Sequence, residues 1–393
     1  MYGLLLCADR KMDPPFLRAA KIADRKVVME KVSPGIGLEA RIAALAQLGD
    51  LMALLGNNDP WPGLSSGVTR QEFDRLNEVI VRARQFNGWY TEENVRYAFR
   101  CWGSALRAPE VKRWVDRYPL LGEKRIAKKV GLILAGNVPL VGLHDVISTW
   151  LSGNYAIVRT SSQEPELIPA LIGILNEFVP GTSDRIISVK ERLGDVDAVI
   201  ATGSNNTARY FEHYFGHLPR IVRKSRVSVA IMDGSETKAE IEALGEDVFR
   251  YFGLGCRNVS KLFLPKDFDL DRIFEGFFNY KDVIQHNKYA NNYDYTRALW
   301  LLDRVPFFEN GFVLLKEDAA LASPVSTVFH ERYADRNELE RKLKENENSI
   351  QCIVGHGHVP FGKAQKPSLT EYADRIDTIE FLIGLDHSPG QNS

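Results

Sequence analysis

"VGLILAGNVPLVGLHDVISTWLSGNYAIVRTSS", Val130–Ser162, changes its hydrophobic period twice. It opens on an apolar run without alternation, "VGLILAG", which reads as a strand buried on both faces. "PLVGLHDVISTWLSG" then places apolar residues at helical spacing, and Gly153 stands where a helix would close. "NYAIVRT" returns to a strand. Strand, helix and strand at this length make a βαβ unit with parallel strands and a right-handed crossover. The alternation continues through a helix at "PELIPALIGILNEF", strands at "RIISV" and "DAVIATG", and a helix at "NNTARYFEHYF". An α/β fold with a mostly parallel sheet is predicted. In such sheets ligands sit at the carboxyl ends of the strands. Those ends carry "GNVP" (136–139), "RTSS" (159–162) and "TGSNN" (202–206).

Upstream, the period is helical. Helices are predicted from "GLEARIAALAQLGDLMALLG", from Thr69 to Phe86 and from Thr91 to about Leu106, with the polar loop "NNDPWPGLSSG" after the first. Residues 1–36 are irregular and read as an extension, and Met29 offers an alternative start. Downstream, a second α/β region begins at "RVSVAIM" (226–232). It continues through a helix Lys238–Phe252, the strand "SKLFLP", a strand at "SPVSTVF", a charged helix at 335–346 and a strand at "IQCIV". The expected division is an extension at 1–36, a nucleotide-binding domain at 37–225, a catalytic domain at 226–365 and a tail at 366–393. That tail is expected to return to the first domain or to a partner subunit.

The 393 residues suffice for two or three cores. A formal net charge of -1 argues against a dedicated nucleic-acid binder. Cys7, Cys101, Cys256 and Cys352 are widely separated, which speaks against a disulfide framework or a zinc site and for a reducing cytoplasm. No apolar run approaches the length of a membrane span, and "LLLCA" is too short for a signal-peptide core.

Cys256 is placed unusually, in "GLGCRNVS" between a helix and a strand. Flanking glycines allow close backbone approach to a ligand. A cysteine nucleophile acts as its thiolate, so it needs surroundings that lower its pKa. The preceding helix presents its negative pole, which leaves Arg257 or a bound cationic cofactor to help. The local pattern therefore favours a packed free cysteine. For Asn137 the local pattern favours a helix N-cap over an amide aimed at an oxyanion. "TGSNN" could offer backbone N–H groups to a phosphate at a helix start. Neither G-x-G-x-x-G after the early strands nor G-x-x-x-x-G-K-[ST] is present. His356 and His358 in "GHGHVPFG" read as a solvated loop, and His213 and His217 as surface residues, so no metal is expected.

In order, "LILAGNVPLVGLHDVISTWLSGNYAIVRTSS", "DAVIATGS" and "GLGCRNVSKLFLP" resemble the aldehyde dehydrogenase superfamily. Within it they resemble the acyl-CoA reductase branch, the LuxC-type fatty acid reductases of bacterial bioluminescence. The resemblance spans about residues 37 to 385 and reverses the local reading of Cys256. It implies two Rossmann-like α/β domains with mostly parallel sheets and a helical N-terminal segment. It places Cys256 at the catalytic cysteine and Asn137 at the oxyanion-hole asparagine. Arg159 stands where a cofactor-binding lysine is usual, and Gly203 and Ser204 match a "TGS" near the cofactor pyrophosphate. Ala320 falls at about the place of the usual ribose-binding glutamate, which departs from the pattern.

A second departure concerns water. Hydrolytic members keep a glutamate in a segment whose counterpart here, "RIVRKSRVSVAIM", has no acidic residue. Without that base an acyl-enzyme hydrolyses slowly, which suits an acyl group arriving on or leaving to coenzyme A. The implied activity is an acyl-CoA reductase that makes an aldehyde through a thioacyl-cysteine. NADPH is the implied cofactor, with NADH as the alternative, because Arg159, Ser161 and Ser162 suit a 2′-phosphate. The implied partners are an acyl-CoA or acyl-carrier thioester and either a second copy of the chain or an acyl-transferase subunit. Two other readings stay open at this point: an aldehyde or acyl-phosphate dehydrogenase, and a non-catalytic nucleotide-binding subunit of an acyl-transfer complex.

Overall fold

The computed structural model describes residues 36–203 and 205–385. All but Ile36 of the expected extension over residues 1–36, with Cys7 and Met29, lies outside them, as do the last eight residues of the tail.

Four helices come first: α1 (Leu38–Asn57), α2 (Arg70–Arg82), α3 (Glu92–Ala105) and α4 (Ala108–Val115). Helix α2 starts where Thr69 and Glu72 satisfy each other's backbone N–H groups, a capping box. Between α1 and α3 the backbones approach closely, because a Cβ on Gly103 would meet the Ala53 backbone at 2.7 Å.

The alternating region then gives β1 (Lys129–Ile133), α5 (Leu143–Leu151), β2 (Tyr155–Arg159), α6 (Leu167–Phe178), α7 (Thr182–Arg185), β3 (Ile186–Val189), β4 (Ala198–Thr202), α8 (Asn205–Tyr214) and β5 (Arg220–Arg223). These strands form a parallel sheet in the order β3-β2-β1-β4-β5. Strand order reverses beside β1, so the ends of β1 and β4 open a crevice where α/β sheets hold ligands. Val130, Leu132, Val158, Ala198 and Ile200 bury their side chains in one core with the N-terminal helices.

The second region contains β6 (Val227–Ile231), α9 (Lys238–Phe249), β7 (Val259–Pro265), α10 (Asp271–Phe277), α11 (Asn287–Leu302), β8 (Phe308–Glu309), β9 (Leu314–Glu317), β10 (Thr327–Tyr333), α12 (Arg336–Glu345) and β11 (Ile350–Val354). The sheet order is β11-β6-β7-β10-β9-β8, parallel except for the β8–β9 pair. Leu262, Leu264, Val328 and Val354 pack there against Leu244 and Val248 of α9 and Phe277 of α10. No helix among the described residues is long and apolar enough to cross a membrane.

Two boundaries differ from the sequence reading. The helix predicted as Lys238–Phe252 ends at Phe249, and a 3-10 turn spans Arg250–Gly253. Tyr251 (φ 54) and Phe252 (φ 58) there adopt the left-handed conformation, which apolar spacing cannot reveal. The strand predicted at "SPVSTVF" begins at Thr327 and runs to Tyr333, since Pro324 lacks the N–H a ladder needs.

After β11 the chain runs back to the first sheet, where the last described helix is α13 (Thr378–Gly384), whose Ile379 and Leu382 join the first core. The Tyr372 hydroxyl accepts from Trp114 Nε1 at 2.7 Å, and Tyr118 donates to Asp377 at 2.5 Å. His144 Nε2 lies 2.9 Å from the Leu369 carbonyl.

Candidate active site

Cys256 follows the left-handed turn and precedes β7. Gly253, at φ 76, takes a conformation that a side chain would strain. Asn258 fixes the turn. Its Oδ1 accepts the Gly255 N–H at 2.8 Å, and its Nδ2 donates to the carbonyls of Arg250 (2.7 Å), Asp247 (3.0 Å) and Val248 (3.3 Å). One side chain thus serves the otherwise unpaired carbonyls at the end of α9 and the approach to Cys256. From β6, the Ser228 hydroxyl donates to the Cys256 carbonyl at 3.0 Å and lies 3.1 Å from Cys352 Sγ.

Asn137 comes to this turn from the other sheet. Its Nδ2 donates to the Leu254 carbonyl at 2.8 Å, two residues before Cys256. The cap reading does not hold, because α5 begins only at Leu143, with Gly142 at the cap position. The amide has two N–H groups, so one remains for a ligand while the other holds Leu254. The loop carrying Asn137 is anchored from behind. Asn87 Nδ2 donates to the Gly136 carbonyl at 3.0 Å, and the Leu140 N–H donates to Glu164 Oε2 at 2.8 Å. Glu164 also accepts from the Tyr90 hydroxyl at 2.9 Å, and burial pushes its carboxyl up to about 8. Sequence reading missed Asn87, Tyr90 and Glu164. Glu164 is two residues beyond "RTSS", but nothing local marks it as buried.

A second group missed from sequence surrounds the thiol. Burial pushes the Cys256 thiol up to about 11, while Arg257 and Arg223 pull it down and Asp374 and Cys352 push it further up. The expectation that Arg257 would activate the thiol is therefore only half met. Its guanidinium donates to the Ala364 carbonyl and pairs with Glu371 at 3.1 Å, and desolvation outweighs its charge. Arg223 is itself buried. It pairs with Asp145 at 2.7 Å and donates to the Ala373 carbonyl (2.7 Å) and Thr378 Oγ1 (2.9 Å). Asp374 pairs with Arg226 at 3.1 Å. The stretch "RIVRKSRVSVAIM" thus brings Arg223 toward the thiol, and its two arginines tie up carboxylates, Arg223 holding Asp145 and Arg226 holding Asp374.

The residues suited to a cofactor lie at the ends of the first sheet. Arg159 ends β2 in register with Ile133 of β1 and Val189 of β3. Ser161 is half-buried, accepts the Gln163 N–H at 3.2 Å, and packs so close to Gly136 that a Cβ there would meet it at 2.7 Å. Ser162 is exposed. Gly203 follows β4 just before α8 and donates its N–H to the Arg223 carbonyl at 3.3 Å. Ser204 lies outside the described residues. A guanidinium, two hydroxyls and the start of a helix are donors of the kind that hold a dinucleotide phosphate, and they follow β2 and β4, which stand on either side of β1.

The histidine loop needs a correction. His356 is exposed, but its Nδ1 lies 2.8 Å from Asp233 and its Nε2 2.9 Å from Glu240, and Glu236 completes a cluster with Asp233. The two carboxylates raise the imidazole to about 9, so it bridges them as a cation. Sequence distance hid this cluster. His213 and His217 are exposed, as expected.

Comparison with known proteins shows what the chain is similar to. Residues 123–273 match the acyl-CoA reductase (LuxC) family. Over 197 residues the chain is 26% identical to long-chain acyl-protein thioester reductase 2 of Photobacterium leiognathi. That alignment covers 45% of this chain and 40% of the relative, so the chain spans about two-fifths of the relative's length. The fold is that of the aldehyde dehydrogenases. Aldehyde dehydrogenase 21 of Physcomitrella patens, solved with succinate, superposes with a TM-score of 0.60 at 13% identity, covering 89% of this chain and 85% of that one. An aldehyde dehydrogenase of Mycobacterium tuberculosis complexed with NAD+ superposes at 0.51 with 14% identity, covering 82% and 78%. The family resemblance read from the ordered motifs holds, and so does the fold class.

Proposed function

We propose that the chain is an NAD(P)H-dependent reductase of fatty acyl thioesters, with Cys256 as nucleophile. The observation that carries this is the meeting of two segments from opposite sheets. Asn137 reaches the turn before Cys256, while the segment that would supply a hydrolytic base supplies Arg223 and Arg226 instead. The LuxC match over residues 123–273 and the relative's name support a thioester carbonyl as the substrate.

Cys256 adds through sulfur to the thioester carbonyl. Asn137 Nδ2 and the Cys256 N–H hold the oxygen that becomes negative. The adduct collapses to a thioacyl-cysteine, and the departing thiol carries the proton that Cys256 gave up. A reduced nicotinamide bound at the strand ends would supply the hydride that turns the thioacyl group into an aldehyde. Arg159, Ser161, Ser162 and Gly203, with the adjoining Ser204, would hold that cofactor, and solved relatives with NAD+ support a dinucleotide there. Arg159 with the two serines favours NADPH, because a guanidinium can grip a 2′-phosphate through two hydrogen bonds.

Intact-mass analysis after incubation with an acyl-CoA tests the reading. One acyl group should appear, mapped to Cys256, and Cys256→Ala should carry none. Acylation of Cys101 or Cys352 instead would refute the assignment.

A further inference from the structure

Asp247 stands in the last turn of α9, where the helix presents its negative pole. A carboxylate is disfavoured there, and this one is completely buried. Its two oxygens are taken by backbone N–H groups. Gly362 donates to Oδ2 at 2.6 Å and Ala364 donates to Oδ1 at 2.8 Å. Burial pushes the carboxyl up to about 6 against the pull of these two N–H groups. An amide in its place would offer one acceptor to two buried donors, so the arrangement calls for a carboxylate.

What Asp247 holds leads to the two residues that follow the nucleophile. The loop at 361–366 comes after β11 and lies against α9, since a Cβ on Gly362 (φ 77) would meet Ala243 at 3.1 Å. The Ala364 carbonyl of this loop accepts from Arg257 Nε, and Glu371, further along the same segment, pairs with the guanidinium at 3.1 Å. The Asp247 carbonyl accepts from Asn258 Nδ2 at 3.0 Å, and Asn258 Oδ1 holds the Gly255 N–H at 2.8 Å. Asp247 therefore reaches Asn258 through its main chain and Arg257 through its side chain. The second link carries charge, because Arg257 is the foremost of the charges that pull the Cys256 thiol down.

We propose that Asp247 is a positioning residue for the nucleophile: its carboxylate clamps the loop at Gly362 and Ala364, and the Ala364 carbonyl keeps the Arg257 guanidinium beside Cys256. This rests on the reading of Cys256 as the nucleophile of the reductase. A guanidinium fixed at that point favours the thiolate that adds to the thioester, and a guanidinium free to swing into solvent does so less.

The test measures alkylation of Cys256 by iodoacetate, an anion, and by neutral iodoacetamide in the full chain, D247N, R257Q and the double variant. Both reagents meet the same thiolate, so the ratio of their rates isolates the charge beside it. R257Q should lower the iodoacetate-to-iodoacetamide ratio at least about threefold, and D247N at least about twofold. The double variant should match R257Q, because Asp247 acts through Arg257. The sign is diagnostic, since direct loss of the Asp247 charge would raise the ratio for an anionic reagent. An unchanged or raised ratio in D247N, or a further fall when D247N is added to R257Q, overturns the proposal. R257Q also reads the link from its other end with Asp247 in place, which covers the case where D247N does not fold. Trypsin should cut after the exposed Lys363 about threefold faster in R257Q than in the parent, and equal rates overturn the proposal. Neither alkylation nor proteolysis involves a thioester. A chain that behaves as stated yet takes no acyl group from acyl-CoA counts against the reductase reading and leaves the role of Asp247 standing.

Discussion

Replacing Glu164 probes how the Asn137 loop is held. The side chain is 3% exposed, and one oxygen, Oε2, accepts both the Tyr90 hydroxyl and the Leu140 N–H. Leu140 is held at φ 60, a conformation the loop keeps only under such restraint. Glu164→Ala leaves two buried donors without an acceptor, at about 1–3 kcal/mol each. Urea denaturation should register on the order of 2–6 kcal/mol, and turnover should fall as Asn137 loses its position. Glu164→Gln keeps a carbonyl for both donors and should keep the turnover. The pH dependence separates the variants further. Burial pushes the native carboxyl up to about 8 from an ordinary 4.5, so the native state holds a proton that the unfolded chain has released. The parent is therefore most favoured by this group below about pH 4.5, and it loses that contribution as pH rises to about 8. Glu164→Gln has no such loss. Its stability relative to the parent should grow by up to about 1.4 kcal/mol per pH unit across that window. Unchanged stability in the alanine variant, or identical pH slopes for parent and Glu164→Gln, would mean that the Glu164 carboxyl does not hold the loop in this way.

Other outcomes follow from the same geometry. Asn137→Ala should slow turnover by on the order of 10²–10³ through loss of an oxyanion donor, with melting little changed because Asn137 caps no helix; steady-state rates and a melt check both. Arg159→Ala should weaken NADPH much more than NADH in binding titrations, since only the former offers a 2′-phosphate to a guanidinium. Alkylation of Cys256 by iodoacetamide, without cofactor, should accelerate about tenfold per pH unit from pH 7 to 10, because burial holds the thiol near 11. A plateau below pH 9 would contradict that.

The β1–α5–β2 unit was legible because its strands are uniformly apolar and its helix is closed at Gly153. Helix α11, "NKYANNYDYTRALWLL", gave no such signal. Its Asn and Tyr residues have weak helical propensity, and it is held by burial of Tyr289, Tyr293 and Trp300. Cys256 and Asn137 could be picked out because ordered motifs mark them, while their surroundings could not. Arg223 meets Asp145 across 78 positions and the Ala373 carbonyl across 150. Glu164 is an ordinary polar-loop residue until the fold encloses it. Side chains that tune the site through burial carry no local pattern, so only the structure brings them together.

On the proposed function, Cys256 forms a thioacyl intermediate which a reduced cofactor, not water, resolves. The most direct measurement is the fate of that intermediate. The protein is acylated, desalted and divided between plain buffer, coenzyme A and NADPH. In buffer the acyl group should stay on Cys256 for minutes or longer, because general-base help to water is worth typically about 10²–10⁴-fold and the nearby carboxylates are held by Arg223 and Arg226. NADPH should release it as aldehyde, and coenzyme A should release it as acyl-CoA. Rapid appearance of free fatty acid in buffer alone would mean that water, not a reduced cofactor, resolves the intermediate.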